Sequence, residues 1–154
     1  RVRFSSASVY ELPFESESFD VVIMSDVLEH LQDLPRALRE AARVARPGAL
    51  FLFDTIDRSC ASFIVGILGA EYIVGIIMRG SHDWRLFIRP EELARGLSAA
   101  GFHGFEHEAF DPSVRSLLEL TLFNIGLLPA EKMAGGWNIG PPSSVVVSYI
   151  GQAR

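Results

Sequence analysis

The hydrophobic pattern of the first half of the chain predicts a βαβ unit. Residues 19–24 form a short apolar run rich in β-branched side chains, which indicates a buried parallel strand. Residues 35–44 place apolar side chains at helical spacing among charged ones, and Pro35 suits the first turn of a helix. Pro47-Gly48 then ends that helix, and the apolar run 49–53 predicts a second buried strand. This order favours an α/β fold with a parallel sheet.

The second half of the chain begins with a long apolar segment. From Cys60 to Met78 there is a single charged residue, Glu71, and the segment contains three glycines. Cys60 itself is expected to be a small buried side chain. The remaining pattern predicts a helix from about 90 to 100, a strand over 102–110, a helix over 117–128, a loop over 135–142 and a strand over 145–150. We therefore expect one domain over 1–154, with an apolar insertion at about 59–79.

Composition and charge narrow the classes of function. The chain has 154 residues, of which 49% are apolar, enough for one domain with a buried core. Its 14 basic and 19 acidic side chains give a net charge of −5, which argues against nucleic acid as a partner. A single cysteine excludes a disulfide within the chain. Because the first residue is Arg1 rather than Met, we expect an N-terminally truncated sequence.

Candidate chemistry gathers just after the first predicted strand. Asp26, Glu29 and His30 are spaced by three and four residues, so that in a helical turn they share one face. Two carboxylates and an imidazole suit a divalent cation, and a carboxylate with a histidine also suits general-base chemistry. On spacing alone, a structural reading is favoured over a metal site, with Asp26 as a helix cap, Glu29 as a helix N-terminal acid and His30 as a packed histidine. The loop after the second strand, 54–58, would lie beside this cluster.

Several short motifs resemble those of known methyltransferases. Residues 19–23 (Phe-Asp-Val-Val-Ile), 27–31 (Val-Leu-Glu-His-Leu) and 46–49 (Arg-Pro-Gly-Ala) resemble class I S-adenosylmethionine-dependent methyltransferases. A more specific set is similar to the ubiquinone-biosynthesis O-methyltransferases: 69–73 (Gly-Ala-Glu-Tyr-Ile), 79–84 (Arg-Gly-Ser-His-Asp-Trp) and 87–93 (Phe-Ile-Arg-Pro-Glu-Glu-Leu). The resemblance covers roughly residues 19–105. It implies a Rossmann-like methyltransferase sheet with helices on both faces.

The resemblance also implies an activity and its site residues. The family transfers a methyl group from S-adenosylmethionine to a catechol-type hydroxyl of a polyprenylated ubiquinone precursor. Its Glu-x-x-Glu-His metal motif maps onto Asp26, Glu29 and His30, which implies Mg²⁺ or another divalent cation, although Asp26 is one methylene shorter. Ser25 corresponds to a position in the family's S-adenosylmethionine site. The family's Gly-rich cofactor loop has no counterpart here, which is consistent with the expected truncation.

The partners and location follow from the apolar segment and from the substrate that the resemblance implies. A polyprenylated phenol resides in the bilayer, so we expect the protein to bind a membrane surface through about 59–79. The expected location is peripheral, on the cytoplasmic face in a bacterium or on the matrix side of the mitochondrial inner membrane in a eukaryote. A ubiquinone-biosynthesis complex is a further expected partner. A membrane span over Cys60 to Met78 is disfavoured by its glycines and by Glu71.

Two alternatives remain open from the sequence. The chain is either a methyltransferase or a non-catalytic, truncated methyltransferase-like interaction subunit. The missing Gly-rich loop favours the second of these.

Several single residues also carry expectations. His82 is expected to be a structural turn residue, with a place at the substrate mouth as the alternative. Glu71 is expected on the polar edge of a helix or in an internal pair with Arg79. His103 and His107 are expected to be exposed.

Overall fold

The computed structural model describes residues 2–75, 77–112, 114–133, 136–141 and 147–154. Its strands are β1 (Phe19–Met24), β2 (Ala45–Ile56), β3 (Glu106–Pro112), β4 (Trp137–Gly140) and β5 (Ser148–Ala153). Its α-helices are α1 (Leu34–Val44), α2 (Cys60–Ser62), α3 (Pro90–Ala100) and α4 (Val114–Asn124). A π-helix spans Phe63–Val74, and three 3₁₀ turns span Leu28–His30, Trp84–Leu86 and Ala130–Lys132.

The predicted βαβ unit is confirmed. β1 and β2 pair in parallel, with Val22 opposite Phe51, and α1 forms the connection between them. The Asp33 side chain caps α1 by accepting a hydrogen bond from the backbone N–H of Arg36. β2 begins at Ala45, four residues before the predicted strand, because Pro47-Gly48 lie in an irregular stretch inside β2 rather than in a loop. Gly48 adopts a φ of +78°, which only glycine accepts readily.

The sheet is mixed, which corrects the expectation of a parallel sheet. Its strand order is β1-β2-β5-β3-β4, and the three pairings that involve β5 or β4 are antiparallel. Among the strands of the described residues, only β1 and β2 pair in parallel, because α1 supplies the long crossover that a parallel connection needs. Part of the predicted loop 135–142 is strand β4, although 135 and 142 lie outside the described residues. The last strand begins at Ser148, and the predicted strand residues 145 and 146 also lie outside them.

The core lies between one face of the sheet and two helices. Phe51 and Phe53 of β2 project from this face and are buried with side chains of α1, α3 and β5. Gly96 of α3 lets the two helices approach closely, because a Cβ at this position would lie 2.9 Å from Leu38 Cδ1 of α1. On the opposite face of β1, Val21 and Ile23 are 45% and 64% exposed.

The apolar segment after β2 folds into the short helix α2 and the π-helix. Ser59 caps α2, where its hydroxyl and that of Ser62 each bond to the other's backbone N–H. Cys60 is exposed, so the expectation of a buried cysteine was wrong; the helix start places it on the outer side. None of the helices in the described part of the chain combines the length and the apolar character needed to cross a membrane.

Candidate functional site

A cavity of about 810 Å³ opens at the carboxyl ends of β1 and β2. Ligands bind at this edge of the sheet in open α/β folds. One part of its wall carries acidic and histidine side chains: Asp26, Glu29, His30, Asp54 and His82. The π-helix supplies much of the remaining wall, including Ile64, Val65, Gly66, Gly69, Ala70 and Ile73. The cavity therefore joins a polar, titratable end to an apolar wall.

Asp26 sits in a strained turn directly after β1. Its φ of +52° lies in the left-handed region, which aspartate tolerates better than most residues. Its backbone N–H donates to Asp54 Oδ1 at 3.0 Å, so the ends of β1 and β2 are tied together. Desolvation and the neighbouring Asp54 carboxylate raise the pKa of Asp26, while His30 and His82 act in the opposite direction. Asp26 does not cap a helix, since the cap of α1 is Asp33.

Glu29 lies in the 3₁₀ turn after Asp26 and is only 1% exposed. The hydroxyl of Thr55, itself buried at the end of β2, donates to Glu29 Oε2 at 2.9 Å. Burial raises the pKa of Glu29, and the hydrogen bond from Thr55 only partly opposes that effect. The result is a buried carboxyl group that is held in one orientation at the cavity wall.

His30 and His82 meet across the cavity wall as stacked rings. Their centroids are 5.3 Å apart and their planes differ by 21°. His82 Nδ1 lies 2.8 Å from Glu71 Oε1, and the Glu71 side chain is completely buried. Glu71 is paired internally, as one of the expectations had it, but its partner is His82 and not Arg79. The Arg79 guanidinium lies over the ring of Tyr72 instead. His82 therefore lines the cavity and is hydrogen-bonded to a buried carboxyl group at the same time.

The predicted cation site does not assemble in this conformation. Asp26, Glu29 and His30 all line the cavity, and their chemistry suits a hard divalent cation. Within the described residues, however, no group of three or more Asp, Glu, His or Cys side chains is placed to hold a metal ion. Glu29 is hydrogen-bonded to Thr55, and the ring of His30 is stacked on His82. The side chains of Asp26, Glu29 and His30, as they are placed here, do not fit a metal ion that all three would coordinate. Their roles as metal ligands stay predictions.

Four further residues named or spanned by the sequence predictions are Ser25, Thr55, His103 and His107. Ser25, the predicted cofactor residue, is exposed at the end of β1 and is not among the residues that line the cavity, so its role stays a prediction. Thr55 lies in the range 54–58 that the sequence placed beside the cluster, but its bond to Glu29 was not predicted, and residues 54–56 belong to β2 rather than to a loop. His103 is exposed as expected, but His107 is half-buried because its ring packs against Tyr149.

The sequence of this chain is similar to those of known methyltransferases. Residues 1–53 match a family model described as a methyltransferase domain. A protein of Hahella chejuensis is 48% identical over 86 residues, or 56% of this chain and 36% of that protein. A protein of Methylocella silvestris is 39% identical over 113 residues, or 72% of this chain and 44% of that protein. Both are named ubiquinone biosynthesis O-methyltransferase. The predicted resemblance to this family is confirmed.

Solved structures confirm the methyltransferase fold. A methyltransferase from Thermotoga maritima, described as a possible histamine N-methyltransferase, superposes with a TM-score of 0.64 at 18% identity. The match covers 96% of this chain and 61% of that one. A methyltransferase from Archaeoglobus fulgidus gives a TM-score of 0.57 at 17% identity, over 97% of this chain and 66% of that one. The chain thus has a class I methyltransferase fold, and it spans less than half the length of the curated relatives above.

Proposed function

We propose that the protein acts as an S-adenosylmethionine-dependent O-methyltransferase on a catechol-type hydroxyl of a polyprenylated ubiquinone precursor. The observation that carries this proposal is the cavity at the carboxyl ends of β1 and β2, with titratable groups at one end and an apolar wall. The similarity to ubiquinone biosynthesis O-methyltransferases supports the same substrate class. The alternative of a non-catalytic interaction subunit is not favoured, since those relatives are named as enzymes.

The polar end of the cavity suits a phenolic nucleophile. A phenol with a pKa of about 10 is mostly protonated at neutral pH and is a poor nucleophile, whereas the phenolate is a good one, so the phenolic proton must leave the oxygen as the methyl group is transferred. S-adenosylmethionine would supply the methyl group as a sulfonium. The chain's own contribution would be to orient the hydroxyl with its carboxylate and imidazole groups. These groups come from three separate elements: the turn after β1, the end of β2 and the turn at His82.

The apolar wall suits the polyprenyl part of the substrate. A cavity of about 810 Å³ lies within the range usual for small-molecule sites. Ile64 and Ile73 of the π-helix line the cavity and are also 59% and 79% exposed. The same element thus borders both the cavity and the outside of the molecule, so a long isoprenoid tail could extend along it.

A methyl-transfer assay tests the proposal directly. The protein is incubated with S-adenosylmethionine carrying a labelled methyl group and with a short-chain polyprenyl catechol, and the label in the organic phase is counted. We expect label in the product, and none when the accepting hydroxyl is replaced by hydrogen. Donor binding without any transfer to the catechol would contradict the assignment of substrate, and absence of donor binding would contradict the assignment of reaction.

We also propose that the protein associates peripherally with a membrane through about 59–79. The support is the exposed apolar surface of the π-helix, where Phe63 and Leu68 are 39% and 41% exposed beside Ile64 and Ile73. The proposed location is the cytoplasmic face in a bacterium or the matrix side of the inner membrane in a mitochondrion. A ubiquinone-biosynthesis complex is also proposed as a partner, because the proposed substrate is an intermediate of that biosynthesis.

A divalent cation is the last part of the proposal. Its support is the donor chemistry of Asp26, Glu29 and His30 and their resemblance to the family's metal motif. Binding would require Glu29 to turn away from Thr55, since that hydrogen bond now holds its carboxylate. Binding of Mn²⁺, measured by electron paramagnetic resonance, tests this part independently of turnover.

A further inference from the structure

Glu71 is a buried acid in an otherwise apolar helix. It lies in the π-helix with its side chain completely buried, a position that costs free energy unless the carboxylate is hydrogen-bonded. Three hydrogen-bond partners meet it from one short turn: the backbone N–H of Gly80 at 2.7 Å, that of His82 at 3.1 Å and His82 Nδ1 at 2.8 Å. Burial acts to raise the pKa of Glu71, but these bonds from His82 and Gly80 hold it below its usual value. The three donors therefore favour the carboxylate form of Glu71.

This carboxylate fixes the orientation and the tautomer of His82. A carboxylate accepts hydrogen bonds only, so the 2.8 Å contact assigns a proton to Nδ1, and the tautomer that carries its proton there presents the lone pair of Nε2. The ring is also constrained by its neighbours: His30 stacks on its face, and Phe87 packs with its ring centroid 5.9 Å away in an edge arrangement. His82 lines the cavity, with its side chain 14% exposed.

A purely structural turn does not need the imidazole. The backbone N–H groups of Gly80 and His82 already tie the turn to Glu71, and they would do so with any side chain at position 82. The imidazole adds a third bond from a ring that stands in the cavity wall. Such a carboxylate-oriented histidine is the arrangement by which proteins fix one ring nitrogen for a ligand. The charged or titratable groups that face it are Glu71, His30 and Asp26.

We propose that His82 contacts the substrate, with Nε2 accepting a hydrogen bond from the hydroxyl group that receives the methyl group, and that Glu71 is its positioning residue. This inference rests on the proposed function, because it needs a hydroxyl-bearing ligand in the cavity. As the methyl group passes from the sulfonium sulfur to the oxygen, Nε2 would take up the proton that this oxygen releases. It would also discriminate a free hydroxyl from one that is already methylated, since a methoxy oxygen has no proton to donate.

Nuclear magnetic resonance of the histidine side chains tests the contact in the wild-type protein. The ¹⁵N-labelled protein is titrated at one neutral pH with an alkylcatechol and, separately, with its dimethyl ether. We expect the Nε2 resonance of His82 to shift with the catechol and to stay in place with the ether. An unchanged resonance at saturating catechol, or an equal shift with the ether, overturns the inference.

Two substitutions extend the test. His82→Gln assigns the resonance and should lower kcat by roughly tenfold or more, with KM for S-adenosylmethionine unchanged, because a misplaced oxygen reacts slowly. Glu71→Gln should leave the fold intact and shift the tautomer signature of His82, because a neutral amide is a weaker acceptor. The matched control is His103→Gln, which removes an exposed imidazole outside the cavity and should change neither response.

The outcomes separate the two proposals. If the wild-type protein transfers no methyl group, the proposed function fails, and the catechol titration still decides whether His82 binds a hydroxyl. If transfer is intact while His82→Gln retains full kcat and the Nε2 resonance ignores the catechol, the function stands and the role of His82 is overturned.

Discussion

Replacing Thr55 by valine would remove one hydrogen bond from the cavity wall without changing its shape. Thr55 and Glu29 are 2% and 1% exposed, and the Thr55 hydroxyl donates to Glu29 Oε2 at 2.9 Å. Valine has nearly the same volume, so little cavity should form, and the change isolates the bond. Water cannot readily replace the lost donor in this buried position, so the carboxylate would lose part of its solvation.

The expected cost depends on the charge of Glu29. A hydrogen bond to an ionised group contributes about 1.5–3 kcal/mol, and a neutral one about 0.5–1.5 kcal/mol. The pKa of Glu29 is already raised by burial from an ordinary value of 4.5, and the Thr55 bond lowers it. Thr55→Val therefore raises this pKa further. At a pH above the folded-state pKa of Glu29, Thr55→Val should lower the free energy of unfolding by about 2 kcal/mol. At a pH below the ordinary pKa of Glu29, the same variant should lower it by about 1 kcal/mol.

Urea denaturation of the wild type, Thr55→Val and Thr55→Ser at several pH values would measure this difference. The serine variant keeps the hydroxyl, so it should follow the pH dependence of the wild type and lose only the packing of one methyl group. The double variant with Glu29→Gln should abolish the pH dependence of the valine effect. A cost that does not grow as the pH rises, or that persists unchanged in the double variant, would refute the assigned bond.

Three further changes have defined outcomes. Gly151→Ala should lower the free energy of unfolding by about 2 kcal/mol or more in urea denaturation, because a Cβ there would lie 2.5 Å from Phe53 Cζ; wild-type stability would contradict the packing. Ile64→Asp with Ile73→Asp should abolish liposome flotation of the folded protein, since both side chains are exposed and apolar; equal flotation would exclude this surface. Glu29→Gln should weaken Mn²⁺ binding at least roughly tenfold if the cation uses this carboxylate, and unchanged binding would remove Glu29 from the cation site.

The sequence predicted those elements whose pattern is local. β1, α1 and the core of β2 carry either a continuous apolar run or a clear helical spacing, and they were identified to within a few residues. The start of β2 was misjudged because Pro47-Gly48 commonly ends an element, whereas here the glycine accommodates an irregular stretch within the strand. The π-helix could not be anticipated, since a uniformly apolar segment shows no period that distinguishes one helix type from another.

The site was only partly predictable for a related reason. Asp26, Glu29 and His30 are close in the chain, so their spacing already suggested a shared wall. The pairs that organise the site are not local: Thr55 bonds to Glu29 across 26 positions, and His82 reaches Glu71 across 11. The sequence singles out Glu71 as a lone acid in an apolar stretch. Its partner His82 is identified only in the structure, where the turn at Gly80 folds back onto the helix.

The position of β5 has a consequence for the order of folding. Among the described strands β5 comes last in the chain, yet it lies in the middle of the sheet, between β2 and β3. During synthesis, β1, α1 and β2 can form their local unit early, but β3 and β4 have no sheet to join until Ser148–Ala153 has emerged. The pairing of Phe51 with Ala153 closes a loop of about a hundred residues, which slows folding. Until β5 has emerged, one edge of β2 and one edge of β3 therefore stay unpaired in addition to the outer edges of β1 and β4, and unpaired edges favour aggregation.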